Sequence, residues 1–233
     1  MEFTVHGPDD GEPLLFVMGW GNTADQPEPR WLLDTLADEG YRTHACEIPT
    51  NVTSFEDEYL RPLADYVADG PDFDRALSHS TGGLIAAHAI DDGVLPKQAV
   101  HLSPWWGLHP SQRLPFRVLG ALPTSRELVP VEPDRDTLGA LADPSAREAL
   151  GLAPSFVREI RRAQESLPRA ADDEVAFCTL TDGLVGVDAV GERLPADRIR
   201  LYDGGHECFA SPDRDQIVAE AVAALREGPA ALG

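Results

Sequence analysis

At one point in this chain an extended run passes straight into a helix, and no other feature restricts the fold as much. Arg75-Ala76-Leu77-Ser78-His79 reads as a β-run, and Leu84-Ile85-Ala86-Ala87-His88 reads as a helix of small residues. Only Ser80-Thr81-Gly82-Gly83 lies between them, which leaves no room for a loop. The residue at the tip must take a strained backbone conformation. Its neighbours two positions away on either side must be small, so that strand and helix can approach. Ser78 and Gly82 hold those two places around Ser80.

The rest of the chain agrees with a strand that feeds a helix. Short β-rich runs at 2–6, 14–18, 42–48, 75–79, 99–103, 175–181 and 199–203 alternate with amphipathic segments. That alternation is the βαβ signature of a mostly parallel sheet flanked by helices. Helices are expected over 31–39, 54–68, 81–90 and 213–226, the second opened by Ser54 with Asp57 three positions later. From Pro104 to about Asp173 no strand is legible, only helix-like pieces at 111–122, 137–150 and 155–167. Some seventy residues are too many for an ordinary loop. The expectation is a helical cap insertion at 104–173, set into a core made of 1–103 and 174–233.

A serine at such a tip sits where the free N–H groups of a helix start favour negative charge. There the Thr81 N–H can donate to an oxyanion. The alternative reading is a turn whose serine only caps the helix. A hydroxyl becomes a nucleophile only when a base takes its proton. Of seven histidines, only His206 comes late, after the last β-run in Asp203-Gly204-Gly205-His206, where two glycines free the backbone. His6, His44 and His101 lie in or at the ends of strands and read as structural. His79 adjoins Ser80, but side chains adjacent across a strained turn diverge. Asp182 is the first carboxylate past the run that starts at Val175, and Asp188 is the alternative. The carboxylate would orient the imidazole without itself taking the proton. Gly19-Trp20-Gly21-Asn22, after the run 14–18, can aim the Trp20 N–H at the same place, or be a plain strand-ending turn.

Composition closes off other classes. An apolar content of 42 % with 25 % charged residues is the balance of a folded globular chain. No apolar run approaches the length of a membrane span, and no secretory signal opens the sequence, so a cytoplasmic protein is expected. Three cysteines, odd in number and far apart, argue against a disulfide framework or a zinc site. Forty acidic against nineteen basic residues give a net charge of −21, which repels nucleic acid and anionic membranes. Lys97 is the only lysine. Acid excess with so little lysine resembles the proteins of salt-accumulating halophiles.

Four blocks in this order carry a family resemblance: Phe16-Val17-Met18-Gly19-Trp20-Gly21, Ser78-His79-Ser80-Thr81-Gly82-Gly83, Leu180-Thr181-Asp182-Gly183-Leu184-Val185 and Asp203-Gly204-Gly205-His206. The sequence resembles the α/β-hydrolase superfamily, and serine esterases and lysophospholipases within it. Family members commonly have His-Gly where Met18-Gly19 stands, and a glycine where Ser78 stands; the short N-terminus implies one early strand fewer. The resemblance implies hydrolysis of a small-molecule ester, thioester or amide through an acyl-enzyme on Ser80, with His206 as base and Asp182 orienting it. It implies no organic cofactor and no metal. Trp105 and Trp106, just past the run 99–103, would line an acyl pocket or simply pin the cap to the core. Acyl transfer or C–C bond hydrolysis by the same residues, and a hydrolase-like binding protein, are the competing readings.

Overall fold

The computed structural model describes every residue of the chain except Pro133 and Glu148. Among the described residues the core runs β1 (Glu2–His6), β2 (Glu12–Val17), α1 (Pro27–Asp38), β3 (Tyr41–Glu47), α2 (Arg61–Asp69), β4 (Arg75–His79), α3 (Thr81–Asp91) and β5 (Ala99–Leu102). Next come α4 (Arg113–Gly120), β6 (Val129–Val131), α5 (Arg135–Leu138), β7 (Leu150–Leu152) and α6 (Pro154–Glu165). The chain returns to the core with β8 (Glu174–Cys178), α7 (Val187–Arg193), β9 (Ile199–Leu201) and α8 (Arg214–Glu227).

Seven strands make one sheet in the order β1-β3-β2-β4-β5-β8-β9, parallel except for β1, which pairs antiparallel with β3. The central strands are apolar in both registers because both faces are covered. Leu15, Val17, Ala76 and Ala176 face the side holding α3 and α7, while Leu14, Phe16, Leu77, Val175 and Phe177 face α1 and α8. β2 lies between β3 and β4, so successive connections leave it in opposite directions. The C-terminal edge beside such a reversal is where open α/β sheets form their sites. No helix is long and apolar enough to cross a membrane among the described residues.

All seven expected β-runs are strands of this sheet, and the differences lie elsewhere. The helix expected over 54–68 opens as a π-helical turn at Glu56–Leu60 before α2 begins. Pro62, which brings no N–H to the ladder, is the local cause. Ser54 caps this start, its Oγ accepting from the Asp57 N–H at 3.1 Å. Residues 104–173 are not purely helical: β6 and β7 pair antiparallel, Val129 opposite Leu152. The helix expected over 137–150 stops at Leu138, because Gly139 turns the chain at φ 150°. A short 3₁₀ turn at Pro144–Ala146 follows, and β7 begins at Leu150.

Candidate active site

The turn after β4 places Ser80 at φ 51°, ψ −119°, a region that residues with a side chain rarely occupy. The surrounding chain fixes it there. The Ser80 N–H donates to the Leu102 carbonyl at 3.0 Å, and the Ser80 carbonyl accepts from the N–H groups of Gly83 and Trp105, both at 2.9 Å. Gly82 is required by contact: a Cβ there would lie 2.1 Å from the Val17 carbonyl oxygen at the end of β2.

His206 reaches this turn from the far end of the sequence. Its loop follows β9 and bends at Gly204, which has φ 156°. Gly205 lies so close to α5 that a Cβ would come within 2.5 Å of the Leu138 carbonyl oxygen. The N–H groups of His206 and Glu207 donate to the carbonyls of Thr137 and Leu138. The Tyr202 hydroxyl donates to the Gly205 carbonyl at 2.8 Å, bracing the loop from beneath.

The structure brings Ser80, His206 and Asp182 together. Ser80 Oγ lies 2.8 Å from His206 Nε2, and His206 Nδ1 lies 2.7 Å from Asp182 Oδ2. A carboxylate can only accept, so Nδ1 carries the ring proton and Nε2 is free to accept from the hydroxyl. The second oxygen, Oδ1, accepts from the N–H groups of Leu184 and Val185. Burial alone would raise the Asp182 carboxyl; the His206 charge and these hydrogen bonds outweigh it and hold the group below its ordinary value. Asp188, the alternative carboxylate, is paired with Arg113 on the surface and has no part in this arrangement.

An apolar cavity of about 230 Å³ opens beside these residues, lined by Ser80 and His206 and also by Trp20 and Thr81. Thr81 is the first residue of α3, so its N–H has no acceptor within the helix. Trp105 lines the cavity, its ring edge against Phe116. Trp106 does not line it, so of the two expected roles the pocket-lining one is corrected for this residue. It turns into the protein, where its indole N–H donates to the Gly83 carbonyl at 3.0 Å and its ring packs edge-on against His101.

No family model and no curated protein matches this chain. Solved structures do match across nearly its whole length. A soluble variant of monoglyceride lipase from Saccharomyces cerevisiae, in complex with a substrate analog, superposes with a TM-score of 0.74 at 15 % identity, covering 96 % of this chain and 90 % of that one. Monoacylglycerol lipase from Paleococcus ferrophilus gives 0.69 at 19 % identity, covering 95 % and 98 %. Est1E from Butyrivibrio proteoclasticus gives 0.62 at 14 % identity, covering 94 % and 90 %. This is the α/β-hydrolase fold.

Around that fold's sheet edge stand residues that motif reading passed over. His79 lines the same cavity, its ring centre 5.0 Å from that of His206, and its Nδ1–H donates to Asn22 Oδ1 at 2.9 Å. Burial, then the nearby His206 charge, hold His79 well below its ordinary value, so it stays neutral. Asn22 donates in turn to buried Glu207 at 2.9 Å, which also accepts from Arg147 at 2.5 Å. The loop after β2 is thereby tied to the loop carrying His206. Gly19 must be glycine for this, since a Cβ would meet His79 Nδ1 at 2.5 Å. The polar side chains were visible in the sequence, but their partners stand up to 185 positions away.

Proposed function

We propose that this protein is a serine hydrolase that cleaves a carboxylic ester or thioester through an acyl-enzyme on Ser80. One observation carries the reading. An unbroken hydrogen-bond chain runs from Asp182 through His206 to Ser80, beside an apolar cavity. Ser80 Oγ attacks the acyl carbon while its proton passes to His206 Nε2, and Asp182 stabilises the imidazolium that forms. The backbone N–H groups of Trp20 and Thr81 receive the oxyanion, each such donor contributing about 10²–10³ in rate. The tetrahedral intermediate collapses, the alcohol or thiol leaves with the proton from His206, and the acyl group stays on Ser80. Water then gives its proton to His206 and attacks the acyl carbon, and the carboxylic acid leaves as Ser80 regains its hydrogen.

Residues 104–173 serve this site as a cap over a core of 1–103 and 174–233. Phe116, Val131, Leu138, Leu150 and Leu152 all come from that insertion and give the cavity its apolar wall. An acyl chain suits such a surface, with the ester oxygens at the Ser80 end. The test is labelling with a fluorophosphonate, which forms a bond only to an activated serine. One label per wild-type chain and none on Ser80→Ala is the expected result. Equal labelling of both, or labelling of neither, overturns the assignment.

A further inference from the structure

A second chain of serine, histidine and carboxylate lies directly beneath the first and has no opening to the cavity. Ser78 is two residues before Ser80 and its Oγ lies 2.7 Å from His101 Nδ1. His101 Nε2 lies 3.0 Å from Glu174 Oε2. Ser78 is 1 % exposed, and His101 and Glu174 are fully buried. All three project from neighbouring strands β4, β5 and β8 onto the face covered by α3, and Ser78 and His101 are register partners.

The direction of every hydrogen bond in this group is set by Glu174. Its Oε2 accepts from Arg193 Nη1 at 2.6 Å, and its Oε1 from Arg193 Nη2 at 3.2 Å and from the Ala171 N–H at 2.5 Å. A carboxylate held in this way can take only a donor from His101, which puts the ring proton on Nε2 and leaves Nδ1 as an acceptor. The Ser78 hydroxyl must therefore donate to Nδ1, so its rotamer is fixed. Its oxygen then lies against the first turn of α3, 3.5 Å from where a Cβ on Gly83 would be. A second limb returns from the same arginine. Arg193 lies over the Trp106 ring at 4.1 Å, and the Trp106 N–H holds the Gly83 carbonyl. The Gly83 N–H in turn holds the Ser80 carbonyl.

We propose that Ser78, His101 and Glu174 form a buried positioning relay that clamps the turn and sets the backbone of Ser80 for reaction. The proposal rests on the reading of Ser80 as nucleophile and explains the departure from glycine at position 78. Where glycine would let strand and helix approach by size alone, Ser78 fills the space and ties it down. Strained backbone persists only when its surroundings over-determine it, and this relay adds two such restraints. A small displacement of an attacking atom is costly: about 1 Å can lose roughly 10²-fold in rate.

The test uses the full chain and an activated ester of a short acyl chain. Ser78→Ala, which keeps the size and removes only the donor, is expected to lower kcat and the rate of fluorophosphonate labelling about tenfold, with KM unchanged. A crystal structure of the variant should show Ser80 shifted from its wild-type backbone angles. His101→Gln, whose carboxamide can accept from Ser78 and donate to Glu174, should retain most of the wild-type rate. His101→Leu should be as slow as Ser78→Ala. The relay is overturned if Ser78→Ala reacts at the wild-type rate, if its loss appears in KM alone, or if His101→Gln is as slow as His101→Leu. Should wild type fail to label at all, the hydrolase reading falls. The Ser80 backbone in Ser78→Ala then decides the relay by itself, and an unmoved Ser80 overturns it.

Discussion

In the proposed mechanism Ser80 concentrates the conflict between stability and chemistry in one residue. At φ 51° its backbone is strained, at a cost of about 1–3 kcal/mol. Comparing Ser80→Gly with Ser80→Ala isolates that strain, because both lose the hydroxyl. Glycine is normally the less stable of the two by roughly 0.5–1 kcal/mol. Here Ser80→Gly should be the more stable by about 1 kcal/mol in urea unfolding, since only glycine tolerates this backbone freely. Two positions on, Gly82→Ala should cost about 3 kcal/mol in the same measurement, because the Val17 carbonyl it would strike belongs to a central strand. In the proposed mechanism Asp182 acts through His206, with which it is hydrogen-bonded. Asp182→Asn can present its amide N–H to Nδ1 and stabilise the tautomer that cannot accept from Ser80, so kcat should fall by about 10⁴ with the fold retained. A variant that keeps wild-type kcat removes Asp182 from the mechanism.

At the scale of elements, the ion pair between Glu174 on β8 and Arg193 on α7 joins sheet to helix where neither partner meets water. Burial alone would raise Glu174, but His101 and Arg193 bring it down to about 2. A carboxylate lowered by folding adds stability that is complete above its unfolded value of about 4.3. That stability is lost as pH falls through the folded value. Urea midpoints should therefore drop between pH 4.5 and 2, beyond the general acid response of the surface. Glu174→Gln should show less of this fall and should start about 3 kcal/mol lower at pH 7, because Arg193 is left buried without its counter-charge. A variant with the wild-type pH response would remove Glu174 as its source.

For the molecule as a whole, charge is distributed unevenly. Residues 104–173 hold ten acidic and nine basic side chains, whereas the rest of the chain holds thirty and ten. Self-repulsion is thus a property of the sheet and its flanking helices, while residues 104–173 are nearly balanced. Salt screens such repulsion beyond about 10 Å at 0.1 M and beyond about 3 Å at 1 M. The melting temperature should rise as sodium chloride is raised over that range at pH 7. A flat or falling curve would show that the acidic surface does not limit stability.

Much of this protein is written locally. A strand that meets a helix with no loop between them needs small residues around its tip, and alternating apolar registers need cover on two faces. Both follow from sterics and burial within a few residues, so the sheet and the turn at Ser80 are legible in the linear chain. The β6–β7 ribbon is not legible, because three-residue strands carry no periodicity and are stabilised by their pairing. Trp106 looked equivalent to Trp105 until packing sent one to the cavity and the other under Arg193. The partners of Ser78, Asn22 and Glu207 were equally hidden, since each polar group could satisfy itself in many ways. Only the folded chain decides which donor meets which acceptor. It does so because an unpaired polar group costs most where water is excluded, and tertiary packing determines where that is.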